Sequence, residues 1–130
     1  MRLTSLSPLF ALLLAAGCMG ESGKPRAEDD FKIYCAACHG VSGEGNGEIA
    51  KQLAKKPADL TGLSARNGGA YPATKVMAKI WGAKDDHAVM PEFAALMESE
   101  LVPFDGGDGI MTPTPIRLVQ ISDYLRKIQR

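Results

Sequence analysis

The chain has 130 residues, with 15 Lys plus Arg against 15 Asp plus Glu and a formal net charge of zero. That length suits one compact domain, and the charge balance excludes a chain built to grip nucleic acid. With one tryptophan and 6% aromatic residues, a domain of this size makes only a modest core of its own.

The first 17 residues read as a signal peptide of the lipoprotein type. Arg2 supplies a positive start, Leu6 to Leu14 form a short apolar stretch broken by Ser7 and Pro8, and Ala15-Ala16-Gly17 are small. The stretch is too short to span a bilayer. Leu14-Ala15-Ala16-Gly17-Cys18 resembles a bacterial lipobox, with Ala15 where leucine is more usual. Cys18 is then the acylated first residue of an exported, periplasmic protein held to a membrane; the alternative is ordinary cleavage nearby. Maturation at Cys18 leaves 14 Lys plus Arg against 15 Asp plus Glu, a net charge of −1. Residues 18–27 are polar with Gly and Pro and read as a flexible tether that reaches roughly 30 Å when stretched.

The domain is expected over 28–130. A first helix starts near Glu28, where Glu28, Asp29 and Asp30 meet the positive end of the helix dipole. Phe31, Tyr34, Cys35 and Cys38 share one face of it, and Gly40 ends it. Gly43 to Gly47 is a glycine loop without the Lys-Ser/Thr of a phosphate loop. A short helical turn over Ala50 to Lys56 stops at Pro57, and Arg66 to Gly69 is a turn. The spacing of Val76, Met77, Ile80 and Trp81 predicts a helix over 73–81 with Gly82 as its C-cap. Asp85 to Met90 is a loop. Pro91 opens another helix with Phe93, Leu96 and Met97 as its buried stripe. Residues 102–113 are a loop rich in Gly, Asp and Pro. Thr114 caps a last helix, Pro115 opens it, and Leu118, Ile121, Leu125 and Ile128 face the core. With no alternating strand pattern, the expected fold class is all-α: four to five short helices around one large apolar ligand.

The nature of that ligand is written at Cys35-Ala36-Ala37-Cys38-His39. Two thiols three positions apart reach the two vinyl groups along one porphyrin edge, and the next imidazole meets the iron. Three other readings compete. A thioredoxin-like dithiol site follows a buried strand, which is missing before Cys35. A structural zinc site needs a second pair of ligands, and only Cys18 and His87 remain. A Cys35–Cys38 disulfide closes a very small loop and contributes little. One covalently attached haem c is the expected cofactor, and a buried porphyrin supplies apolar contact area that the chain lacks.

Haem iron with one histidine either keeps a vacant sixth site or takes a second protein ligand, for which Met77, Met90, Met97 and Met111 are the methionine candidates. Met77 and Met97 have ordinary core spacing, and Met111 lies in the Gly/Pro-rich loop. Met90 stands in a loop immediately before Pro91, which stiffens the backbone and holds the thioether in place. His87, three residues earlier, is its competitor. Thioether ligation raises the reduction potential relative to a second imidazole.

Taken together, the chain resembles a class I monohaem cytochrome c from about Asp29 to Ile128. The resemblance is carried by Cys35-Ala36-Ala37-Cys38-His39-Gly40, then Met90-Pro91-Glu92-Phe93, then Tyr124-Leu125 in the last helix. It implies the cytochrome c fold, with Phe31 and Tyr34 of the first helix meeting Ile121, Tyr124 and Leu125 of the last. It implies His39 and Met90 as axial ligands, and a proline carbonyl, with Pro57 the candidate, accepting the His39 N–H. Arg66, Asn67, Tyr71 and Trp81 are the candidate neighbours of the haem propionates. Residues 98–113 depart from the family by lengthening the chain before the last helix, and Asp105 to Gly109 lacks the ligand register of a calcium loop. The implied function is that of a one-electron carrier, not an enzyme. Its partners are redox proteins: a dehydrogenase, a quinol-oxidising complex, an oxidase or a reductase. A cytochrome subunit of an oxidoreductase complex, and a haem sensor or ligand-binding protein with a displaceable methionine, are the alternatives.

Overall fold

The computed structural model describes residues 27–82 and 90–130. The expected signal peptide, Cys18, the tether as far as residue 26, and His87 lie outside the described residues. Helix α1 spans Ala27–Tyr34 and is followed after Cys35 by the single turn α2, Ala36–His39. Two 3₁₀ turns, Ala50–Gln52 and Leu60–Gly62, lead to α3, Leu63–Arg66. Helix α4 covers Ala73–Trp81, and α5 is one turn, Ala94–Met97. Strands β1, Leu101–Asp105, and β2, Met111–Pro115, then form an antiparallel hairpin. Helix α6, Ile116–Lys127, closes the fold. No helix among the described residues is long and apolar enough to cross a membrane.

The expectation of an all-α chain is therefore corrected: six helices share the described residues with a two-stranded sheet. The sheet occupies most of the segment expected to be a loop. Prolines hid it, because a proline cannot donate to a ladder. Here Pro103 stands opposite Pro113, and Leu101 opposite Pro115. Antiparallel pairs alternate between hydrogen-bonded and non-bonded types. All three prolines fall in the non-bonded set, so none of them removes a ladder bond. Val102↔Thr114 and Phe104↔Thr112 are left to carry the hydrogen bonds. The tip is closed by Asp105 Oδ1, which accepts from the N–H groups of Gly107 at 2.8 Å and Gly109 at 3.0 Å. Residues 106–110 are thus the hairpin's turn, anchored by Asp105 at the end of β1.

The hairpin also changes how α6 begins. Thr114 lies in β2 and its hydroxyl donates to Thr112 O, while Pro115 takes the N-cap position without a side-chain cap. The first N–H groups of α6 find partners upstream instead: Ile116 N donates to Glu100 O at 2.8 Å and Arg117 N to Ser99 Oγ at 3.3 Å. Helix α4 ends as expected at Gly82, whose φ of 104° suits a residue without Cβ. Trp81 is 54% exposed, whereas Val76, Met77 and Ile80 of the same helix are buried.

The core lies where α1 crosses α6. Phe31, Leu118 and Ile121 are fully or almost fully buried, and the Phe31 and Tyr124 rings meet at 5.1 Å between centroids. Beside them lies a pair that the sequence did not announce. Asp30, 3% exposed, takes two bonds from Arg117, at 2.9 Å from Nε and 2.5 Å from Nη2. At the far end of α6, the Gln129 amide donates to Leu60 O and Leu125 O and accepts from Ser64 N. That side chain fastens the 60–64 segment to the helix.

Candidate functional site

A cavity of about 540 Å³ lies against α1, α2, α4 and α6, within the range of cofactor and small-molecule sites. Cys35, Cys38 and His39 line it from the first two helices, and Met90, Pro91 and Phe93 from the segment before α5. Leu60, Leu63, Val76 and Ile80 make much of the remaining surface apolar. The charged side chains among its described lining residues are Lys55, Lys56, Arg66, Lys75 and Lys79, all cationic. A mostly apolar lining whose described charged side chains are all cationic suits an apolar group that carries carboxylates.

Local hydrogen bonding fixes the cysteine-histidine segment. Cys35 sits at the join of α1 and α2, and its carbonyl accepts from Cys38 N and His39 N. After Gly40 the glycine loop turns back over α2. Gly45 N donates to His39 O, Gly47 N to Cys38 O and Ile49 N to Ala37 O, which satisfies carbonyls that a helix end leaves open. Gly47 must be glycine, because a Cβ there would stand 2.2 Å from Ala37 O.

The same loop presses the next segment into place. A Cβ on Gly45, whose φ is +75°, would stand 2.4 Å from Pro57 O. Pro57 and Ala58 line the cavity, and the Ala58 carbonyl accepts from His39 Nδ1 at 2.9 Å. The carbonyl on the imidazole is therefore that of Ala58 instead of Pro57. A carbonyl only accepts, so Nδ1 carries the proton and Nε2 keeps its lone pair for another partner. Asp59 then starts the next 3₁₀ turn, accepting from Thr61 N at 2.8 Å and Thr61 Oγ1 at 2.6 Å. These bonds hold its carboxyl below the usual range.

The other candidate residues divide. Arg66 and Asn67 line the cavity. Arg66 Nη2 donates to Asp59 O, and Asn67 Nδ2 to Ala70 O at 2.9 Å. Tyr71 and Trp81 are not among the lining residues. The Tyr71 hydroxyl lies 3.5 Å from Ser122 Oγ, and the Arg126 guanidinium sits over its ring. Sequence reasoning missed Ala58, because any residue offers a carbonyl. It also missed Tyr34 and Leu63 as lining residues, although Tyr34 shares the face of Cys35 and Cys38.

The thiols are not bonded to each other. Cys35 is 6% exposed, and burial pushes its thiol up to about 12. A redox-active dithiol needs an acidic, accessible thiolate, so this environment disfavours that chemistry. Among the described residues, no three His, Cys, Asp or Glu side chains gather as a metal ion would require; Cys18 and His87 lie outside them. No family model matches the chain, and no curated protein or solved structure matches it either.

Proposed function

We propose that the chain is a monohaem c-type cytochrome that carries one electron at a time between redox proteins. The observation that carries this reading is the convergence of Cys35, Cys38, His39 and Met90 on one mostly apolar cavity whose described charged lining residues are cationic. Cys35 and Cys38 would hold haem c through two thioether bonds, and His39 and Met90 would be its axial ligands. Haem bound there supplies a one-electron Fe(III)/Fe(II) couple. The chain's own residues do the rest. Ala58 O orients the imidazole of His39. Leu60, Leu63, Val76 and Ile80 would exclude water, and Arg66 and the lining lysines would supply positive charge for the haem carboxylates. Acylation at Cys18 would keep the protein on the periplasmic side of a membrane, within reach of partners there.

The test is a visible spectrum and a haem-stained denaturing gel of protein matured with haem-attachment machinery. Pigment that survives denaturation, with both thiols closed to alkylation, is the expected result. A colourless protein with two alkylatable thiols overturns the reading. Little carbon monoxide binding to the reduced protein at neutral pH is expected of a carrier with both axial positions filled. Rapid stoichiometric binding would make it a ligand-binding haem protein instead.

A further inference from the structure

Arg117 of α6 makes hydrogen bonds to the segment that follows Met90. Helix α5 is one turn long, too short to hold a position alone. Arg117 reaches it twice. Its Nη1 donates to Ala95 O at 2.9 Å, and its backbone N–H donates to Ser99 Oγ, which itself donates to Leu96 O at 3.2 Å. The rest of the guanidinium is locked on buried Asp30 of α1. It also lies 5.5 Å from the centre of the Tyr34 ring, and Tyr34 meets Phe93 edge-on at 6.1 Å. Tyr34 and Phe93 both line the cavity with Met90, whereas Arg117 is absent from the lining.

From this we infer that Arg117 is a positioning residue for the axial methionine: braced on Asp30, it fixes α5 and the Tyr34–Phe93 contact, and so sets where the Met90 thioether stands. The inference rests on the cytochrome reading. It predicts that the Asp30–Arg117 pair does more than join α1 to α6, because a planar fork serves Asp30 and Ala95 together, which a lysine ammonium does not reproduce.

Two variants test it in the full, matured chain. Arg117→Lys keeps the charge beside Asp30 and loses the arm to Ala95. The double variant Asp30→Leu/Arg117→Met replaces the buried pair with apolar side chains, an exchange that commonly preserves stability, and also lacks the arm. Both are expected to keep wild-type helix content and covalent pigment. Both are expected to lose intensity in the oxidised band near about 695 nm that marks methionine ligation and to bind carbon monoxide faster when reduced. Amide exchange at Leu96 and Glu98 should rise roughly tenfold, with α1 and α6 amides little changed. If Arg117→Lys fails to fold, the double variant decides. A double variant with the wild-type band and wild-type exchange in α5 overturns the inference, since Arg117 is then only a brace between two helices. A wild type with pigment but without the methionine band also overturns it. A colourless wild type removes the cytochrome reading and this inference with it, before any variant is made.

Discussion

At Gly45 one missing methyl group decides where a carbonyl sits. Alanine there would meet Pro57 O and adopt a φ that L-residues avoid, a strain of roughly 1–3 kcal/mol. Gly45→Ala is expected to lower the denaturation midpoint and to move Ala58 O off His39, which a shifted reduction potential would report. Asp30 is the second decisive residue. Arg117→Ala leaves its carboxylate buried without a partner and is expected to cost about 3–5 kcal/mol in urea unfolding. Of these features the sequence made the thiol-imidazole spacing legible, because chemistry fixes it locally. The carbonyl of Ala58 and the Asp30–Arg117 pair were not legible, because one is backbone and the other joins residues far apart in the chain.

Among the elements, α4 was legible from its own periodicity and its glycine cap, since local propensity and burial agree there. The hairpin was not. Its turn chemistry and the alternating burial of β1 are present, but three prolines argue against a strand until the partner register is known. The register gives a contrast to measure. Pro103→Thr changes a non-bonded position and should alter stability by less than about 1 kcal/mol. Thr112→Pro removes an N–H from a bonded pair and should cost roughly 1–3 kcal/mol. Equal effects in thermal melts would contradict the assigned pairing. Trp81 shows where periodicity stops being informative. A helix face that periodicity marks as apolar need not be covered along its whole length, and α4 leaves its last residue outside the core.

For the whole molecule, stability should depend on pH differently with and without the proposed haem attachment. The Cys35 thiol ordinarily titrates near 9.0, and burial holds it protonated up to about 12. A raised acid constant for a thiol means that the unfolded chain ionises first. Stability of the unattached chain is therefore complete below about 9 and falls as pH rises from there toward 12. Thioether formation removes the group, so the attached protein should lack this alkaline loss; denaturant midpoints at pH 7 and pH 10 for the two forms check it. On the acid side, hydrogen bonds hold Glu44, Asp59 and Asp105 below their ordinary range. Their contribution is present at neutral pH and is lost below about pH 4 as they protonate. The Asp30–Arg117 clasp spans 87 positions and bears on the order of events during maturation. Until the C-terminal helix has been synthesised there is nothing for α1 to cross, and Cys35 has no interior to enter. The unfolded polypeptide therefore keeps the Cys35 sulfur open to reagents, and closure of its two distant ends buries it. Long-range closure of this kind is slow, and the proposed haem attachment would have to fall within that delay.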